Sequence, residues 1–381
     1  MRKDDLARLS EPYGGDPTAP GPGPASALGA DTPTWELLGT TILEDLVIEP
    51  PYGIGWWAPH PGTSRRILVS DQLYACVHST GDNLIEAALH WLEFLDCADS
   101  ASERLAYAVR IDGGGFAIKA PRSENALQDV GRQLVRLHST GIVRALAGAL
   151  DCAAGAIIGV VALPARILRA DFGVVRSTLR KLVKDPSGKS HAVQVEFGKK
   201  LELLIASHGP EGWLDWALAF RNMLVHRGRR VEIGQFVPLV PVLYGPDGKP
   251  VPRVRTITHL PRDPGRSDVE VFLDSTQSPV LTEDAEQTLG GLLKSTKAFV
   301  EALAAELLDV WKWRKANADK VPQPAAQWPD GPSTEGSGFG GYAPGSFSYS
   351  PSMMTTHPIV VRRLRAASLD DKARPRWSTF D

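Results

Sequence analysis

Apolar residues recur at steps of three and four over most of the middle of the chain, and this spacing is typical of helices with one buried face. The longest such pattern begins at Thr282, a suitable capping residue, and runs to about Ala318. Others begin near Asp82, near Ser123 and after Gly141. Because these segments dominate, the sequence predicts a mostly α protein whose antiparallel helices pack as a bundle.

One shorter predicted helix carries the most distinctive polar residues. It runs from Glu211 to Gly228 with the sequence EGWLDWALAFRNMLVHRG, and the final glycine is a natural stop. Tryptophan, phenylalanine and leucine side chains form an apolar stripe along one face. Arg221 is set into a second apolar row, while Asn222 and His226 lie one turn apart on a third line. A guanidinium, an amide and an imidazole are therefore expected near the end of a mostly buried helix.

Between this helix and the last one, the hydrophobic period changes to two, which is typical of strands. The segments Val231–Tyr244 and Val251–Leu260 flank GPDGK, a turn sequence that predicts a hairpin. Asp268–Leu273 is a candidate third strand, so the β insertion covers about residues 231–273. Residues 34–79 are less regular, and short strands or a helix–turn segment are both possible there.

The two ends of the chain differ in composition from the middle. Residues 1–33 are rich in Pro, Gly, Ala and Asp, and residues 319–381 are rich in Pro, Gly and Ser. Such segments bury too little apolar surface to offset the loss of chain entropy, so both are predicted to be disordered. The sequence thus predicts one helical domain at 34–318, with the β insertion inside it.

Composition and charge narrow the function classes. The 381 residues carry a net charge of −2, so no general electrostatic attraction to nucleic acid is expected. The three widely spaced cysteines form neither a disulfide framework nor a zinc pattern, which fits a reducing compartment. The N-terminus lacks the apolar core of a signal peptide. The apolar run Ile142–Leu163 contains Arg144 and Asp151, so a buried core helix is expected there rather than a membrane span. We therefore expect a cytoplasmic protein without a membrane partner.

Most common catalytic motifs are missing from the sequence. It contains no phosphate-binding glycine loop of the Walker or Rossmann type and no G-x-S-x-G motif. No pair of histidines shows helical metal-ligand spacing with acidic neighbours. The sequence therefore predicts neither a cofactor nor a metal site, and Arg221, Asn222 and His226 remain as the candidate catalytic residues.

These three side chains suit the cleavage of RNA. Histidine can take a proton from a ribose 2′-hydroxyl or donate one to the leaving 5′-oxygen. Arginine can bind a phosphate with two parallel hydrogen bonds and stabilise the charge that builds on its oxygens. The neighbouring asparagine can orient the imidazole or bind a non-bridging oxygen. None of these steps requires a metal ion.

Arg221-Asn222-x3-His226 resembles the R-φ-x(3–5)-H signature of HEPN (higher eukaryotes and prokaryotes nucleotide-binding) domains, in which φ is usually a polar residue such as Asn. The family is an up-and-down helical bundle, often dimeric, with the motif near the subunit interface. Many members are metal-independent endoribonucleases of toxin–antitoxin, phage-defence or RNA-processing systems. The resemblance implies that Arg221 and His226 are catalytic, that Asn222 supports them, and that RNA is the substrate of a homodimer.

Other interpretations of the same residues stay open. Arg132 to His138 and Arg253 to His259 also satisfy the loose spacing, although neither arginine is followed by asparagine. The chain can equally be a non-catalytic HEPN-like module that binds a protein partner or a nucleotide. It can also be a structural helical protein without any relation to that family.

The alternative role for Arg221 is a purely structural ion pair. Its partner would be Asp215 or an acidic residue of a neighbouring helix. Asp151 is one such residue, because a carboxylate within an apolar helix needs a partner. His90 and Trp91 are expected to be core or boundary residues.

Overall fold

The computed structural model of the protein describes residues 28–47, 63–112, 115–118, 126–186, 191–226, 232–236, 243–244, 250–251, 255–266 and 280–317, with residues 270, 273 and 320. Most of these residues are helical, which confirms the predicted mostly α fold. The helices are α1 (Pro33–Val47), α2 (Thr63–Ala108), α3 (Ala126–Val161), α4 (Phe172–Lys184), α5 (Ala192–Ser207), α6 (Trp213–His226) and α7 (Ala285–Ala316), with a 3-10 turn at Ile167–Arg169.

Short antiparallel strands lie at two places in the chain. β1 (Val109–Asp112) pairs with β2 (Gly115–Ile118) directly after α2. Between α6 and α7, β3 (Glu232–Phe236) pairs with β6 (Arg255–His259), and β4 (Leu243–Tyr244) pairs with β5 (Pro250–Val251). The predicted GPDGK turn, at 245–249, lies outside the described residues. Of the candidate strand Asp268–Leu273 only Glu270 and Leu273 are described, and both are helical rather than extended.

The core is built around α3 and α7. Helix α3 contacts α2, α4, α6 and α7, and α7 also contacts α1 and α5. Leu150 and Ile157 of α3 and Phe299 and Leu303 of α7 are fully buried. The apolar stripe that marked α7 in the sequence therefore faces the centre of the fold, as the 3.6-residue period requires.

Helices α2 and α3 run antiparallel and approach closely along three glycines of α3. A Cβ atom added to Gly155 would lie 2.4 Å from the Cys76 sulfur, and one added to Gly148 would lie 2.5 Å from the Asn83 side-chain oxygen. One added to Gly141 would meet the ring of His90. The three glycines of α3 recur every seven residues, and so do their partners in α2. This spacing keeps successive contacts on one seam of a packed helix pair.

We expect Gly155→Ala to lower the free energy of unfolding by about 1–2 kcal/mol. Overpacking costs about 1–3 kcal/mol, and the better helix propensity of alanine returns up to about 1 kcal/mol. Gly81→Ala in α2 is the matched control, because its Cβ would meet nothing within 4 Å. Urea denaturation followed by circular dichroism should show a loss for the first variant and a small gain for the second. Equal effects would contradict close packing at Gly155.

Several predicted boundaries are wrong. Asp82 lies in the middle of α2 rather than at its start, while at 33–47 and 63–79 the helical one of the two open alternatives is confirmed. The helices expected from Ser123 and after Gly141 are one uninterrupted helix, because tight packing against α2 outweighs the low helix propensity of its glycines. Asp284, and not Thr282, occupies the N-cap position of α7.

The terminal segments predicted to be disordered lie almost entirely outside the described residues. The described part begins at residue 28, where Ala30 and Thr32 are already buried. Backbone amides of Thr34 and Trp35 donate to the Glu301 carboxylate of α7. The packed body thus includes a few residues before α1.

One helix of the described part, over Val130–Val161, is long and apolar enough to cross a membrane by length and composition alone. Its most apolar stretch is 72% buried against the rest of the fold. That burial is the pattern of a core helix, as the sequence predicts for this segment.

Candidate functional site

Helix α6 is held in the fold by its apolar stripe. Phe220 is fully buried, and Met223 and Leu214 are nearly so. Trp213 donates its indole N–H to the Ile205 carbonyl at 2.9 Å and packs edge-on against Phe299. This side of α6 faces the core. Arg221, the residue after Phe220, therefore points toward the boundary of the fold, where α6 contacts α3.

The helix begins at Trp213, two residues later than the sequence predicts. The Trp213 amide donates to the Pro210 carbonyl at 3.1 Å, and Gly212 adopts a left-handed conformation with φ of +77°. A glycine there allows the chain to turn into the helix without the strain of a side chain. The helix ends at His226; Gly228 and the arginines at 227, 229 and 230 lie outside the described residues.

Arg221 forms an ion pair with Asp151 of α3 through Nη2 and Oδ2. The two side chains are 26% and 20% exposed, so the pair lies at the edge of the core and remains reachable by solvent. This confirms the partnership that the lone carboxylate in the apolar helix suggested. The alternative prediction, that Arg221 pairs with Asp215, is wrong, because Asp215 accepts a hydrogen bond from Arg176.

The Asp151 carboxylate is held from two sides. Its Oδ1 accepts the backbone N–H of Phe172 at 3.1 Å, in the first turn of α4, while Oδ2 faces Arg221. Burial raises the pKa of Asp151, whereas the Phe172 N–H and the charge of Arg221 act in the opposite direction. Asp171 adds a smaller repulsion that also raises this pKa. The carboxylate thus joins α3, α4 and α6 at one point.

Asn222 lies beside the ion pair at the surface. Nη1 of Arg221 donates to its side-chain oxygen at 2.9 Å, a contact between helix neighbours that the sequence did not predict. The backbone of α6 places His226 one turn after Asn222. The His226 side chain lies outside the described part, and its predicted role in the site stays a prediction.

A second charged network secures the opposite part of α6. Arg176 of α4 donates to both oxygens of Glu202 of α5 and, through Nη1, to Asp215 of α6 at 2.6 Å. Arg180 also donates to Glu202, at 2.9 Å and 3.0 Å. The Arg176 side chain is only 11% exposed, and the hydrogen bonds to Glu202 raise its pKa. This network orders three helices and leaves the Arg221–Asp151 pair as a separate contact.

The cysteine next to Asp151 is not a candidate nucleophile. Burial, together with the nearby Cys76 and Asp151, raises the pKa of the Cys152 thiol to about 11. The thiol is therefore protonated at neutral pH, when only a thiolate would react.

The structure also brings into contact two histidines that are 48 residues apart in the sequence. Nδ1 of His90 in α2 lies 3.1 Å from Nδ1 of His138 in α3. His138 thus has a neighbour other than the Arg132 of the loose sequence match, while Arg253 of the second match lies outside the described residues. The seven-residue spacing of glycines in α3 is the only sequence signal that could have aligned these two helices.

Two clefts lie elsewhere on the described surface. One, of about 580 Å³, separates the start of α6 from the first turns of α7 and is lined by residues that include Trp213, Trp216 and Gln287. The other, of about 370 Å³, lies between α1 and α2 beside Tyr74 and His78. Neither includes Arg221 or Asn222. Within the described residues, no three His, Cys, Asp or Glu side chains converge as metal ligands.

Comparison with protein-family models, with curated proteins and with solved structures finds no match for this chain.

Proposed function

We propose that the protein is a metal-independent endoribonuclease of the HEPN type, with Arg221, Asn222 and His226 as its site. The observation that supports this most is the placement of Arg221. Its guanidinium is partly exposed, is oriented by Asp151 and touches Asn222, its neighbour in the motif. A guanidinium fixed in this way loses little conformational entropy when it binds a phosphate.

In the proposed reaction the ribose 2′-hydroxyl attacks the adjacent phosphorus and the bond to the 5′-oxygen breaks. His226 removes the proton from the 2′-hydroxyl or donates one to the leaving 5′-oxygen. Arg221 and the Asn222 amide bind the non-bridging oxygens, where negative charge increases in the transition state. The products are a 2′,3′-cyclic phosphate and a free 5′-hydroxyl.

Asp151 has two opposing effects on this chemistry. It orients the planar guanidinium, which helps to position the phosphate, but its negative charge reduces the net attraction of Arg221 for an anion. The RNA must therefore approach the part of the guanidinium that faces solvent rather than replace the carboxylate. The net charge of −2 adds no general attraction, so binding would depend on this local patch.

The test is cleavage of a mixed RNA pool by the full chain in EDTA. We expect His226→Ala to lower the rate by about 10²–10⁴-fold and Arg221→Ala by about 10²–10³-fold. Asn222→Ala should have a smaller effect, because it leaves both the acid–base group and the guanidinium in place. The expected product carries a cyclic phosphate.

The controls are Arg132→Ala and His208→Ala, which remove the same residue types at positions outside α6. Both should cleave RNA as fast as the wild-type protein. If the wild-type protein cuts no faster than Arg221→Ala and His226→Ala, the nuclease proposal is wrong.

The ion pair itself favours a second candidate, a non-catalytic helical module that binds a protein partner or a nucleotide. In that case Arg221 serves to hold α6 against α3, since Asp151 and Asn222 already accept two of its hydrogen bonds. Arg221→Ala would then lower stability or partner binding without any nuclease phenotype. Sedimentation of the full chain would test the homodimer that the resemblance implies.

A further inference from the structure

His90 and His138 face each other across the seam between α2 and α3. Their Nδ1 atoms are 3.1 Å apart, and the ring centroids are 5.3 Å apart with the planes at 58°. The His90 side chain is 25% exposed, so the pair lies at the boundary of the core with access to water. Two imidazole nitrogens from different helices are thus directed at one small volume.

The seam is shaped to accept the His90 ring. Gly141 lies beneath it, and a Cβ atom at that position would come within 2.6–2.7 Å of three ring atoms. Only a glycine leaves room for the imidazole to lie against α3 and reach His138. This glycine belongs to the same seven-residue series as Gly148 and Gly155, so the close approach is a regular feature of the α2–α3 packing.

At 3.1 Å the two Nδ1 atoms are within hydrogen-bond distance, so an ion bound by both would displace the proton between them. Glu86, one turn before His90 on α2, places a carboxylate oxygen 3.8 Å from Nε2 of His90. A metal-binding histidine commonly donates its other ring N–H to a carboxylate, and Glu86 lies on the Nε2 side of His90. Burial lowers the pKa of His138, and the neighbouring His90 lowers it further, although the charge of Glu93 opposes them.

We propose that His90 and His138 form a binding site for a divalent first-row transition metal, with both Nδ1 atoms as ligands and water in the remaining positions. Imidazole nitrogen is a preferred ligand of Ni²⁺, Cu²⁺ and Zn²⁺. The site is independent of the proposed nuclease chemistry, because it uses α2 and α3 only and does not include α6.

The nitrogen separation selects among these metals. Two nitrogens that are 3.1 Å apart and each about 2.1 Å from an ion subtend about 95° at that ion. This angle is close to the 90° between neighbouring ligands in square-planar or octahedral coordination, whereas a tetrahedral ion would require about 3.4 Å. The geometry therefore fits Ni²⁺ or Cu²⁺ better than Zn²⁺. A bound ion would connect α2 to α3 at the boundary of the core.

The experiment is a titration of the untagged full chain with Ni²⁺, followed by thermal unfolding and by calorimetry at pH 7.5. An ion that binds only the folded chain raises Tm, and we expect a rise of about 5 °C or more at a hundredfold excess over Kd. EDTA should reverse the shift. His90→Gln and His138→Gln should each weaken Ni²⁺ binding at least tenfold, since each removes one of two protein ligands.

Two further variants make the result specific. His78→Gln removes another histidine of α2, one that pairs with Asp82 at the surface, and should bind Ni²⁺ as the wild-type protein does. Gly141→Ala keeps both histidines but displaces the His90 ring, and should weaken binding although alanine favours a helix. If a glutamine variant fails to fold, the affinity of the Gly141→Ala protein for Ni²⁺ still tests whether the two histidines bind the ion. A wild-type protein without a Ni²⁺-dependent Tm shift, or the same shift in both glutamine variants, would overturn the proposal.

Discussion

Replacing Phe299 with alanine is expected to lower the free energy of unfolding by about 3–5 kcal/mol, the usual range for an aromatic side chain lost from a core. Phe299 is fully buried in α7. Its ring meets Phe172 of α4 edge-on at 5.8 Å and Trp213 of α6 at 6.0 Å. Each such pair adds about 0.5–1.5 kcal/mol beyond the burial of area, so the substitution weakens the attachment of two helices at once.

The measurement is urea denaturation of the full chain, monitored by tryptophan fluorescence and circular dichroism. Phe299→Leu keeps part of the buried volume but loses both ring pairs, and should cost about 1–3 kcal/mol, less than the alanine variant. Leu203→Ala, at a position in α5 that is 70% exposed, should change stability by no more than about 0.5 kcal/mol. If Phe299→Ala cost as little as Leu203→Ala, the aromatic cluster would not be the junction of α4, α6 and α7.

The parts of the fold that the sequence predicts well are those whose hydrophobic stripe is regular. Helices α6 and α7 follow this rule, because their apolar residues recur at helical spacing and face the core. The helices at 33–47 and 63–79 were not distinguished from strands. Their surroundings contain prolines and a tryptophan pair, and local pattern alone does not separate a short apolar strand from part of a buried helix.

The α2–α3 seam shows why tertiary contacts escape such reasoning. A single glycine in a helical pattern predicts an end or a weak point, and Gly141 was interpreted in that way. In the folded chain, Gly141, Gly148 and Gly155 instead provide the space for side chains of α2. The gain from packing exceeds the cost in helix propensity, and the His90–His138 contact follows from this pairing.

The position of Asp151 in the sequence predicts a contact of the candidate site. The carboxylate of Asp151, set within an apolar helix, required a partner, and Arg221 is that partner. Asp215 lies on α6 itself, and the sequence alone does not distinguish it from Asp151 as a partner of Arg221. Asp215 instead pairs with Arg176 of α4, because the packing of α4, α5 and α6 places this arginine beside the first turn of α6.

The Arg221–Asp151 ion pair is expected to contribute to the stability of the fold. We expect Arg221→Ala to lower the free energy of unfolding by about 1–3 kcal/mol. Breaking a fully buried pair costs about 3–5 kcal/mol, and the partial exposure of both side chains reduces this. A double-mutant cycle with Asp151→Ala should give a coupling energy of about 0.5–3 kcal/mol. Lys200 and Glu306, a more exposed pair at 2.7 Å, are the control and should give about 0.2–1 kcal/mol.

The same variant separates a structural arginine from a catalytic one. A domain with about 5 kcal/mol of stability that loses up to 3 kcal/mol is still more than about nine-tenths folded. Unfolding therefore cannot account for a loss of RNA cleavage of 10²-fold or more, and such a loss would place Arg221 in the chemistry. A stability loss of the expected size with unchanged cleavage would instead assign Arg221 to the attachment of α6 to α3 alone. Measuring both quantities on one preparation of the Arg221→Ala protein decides between them.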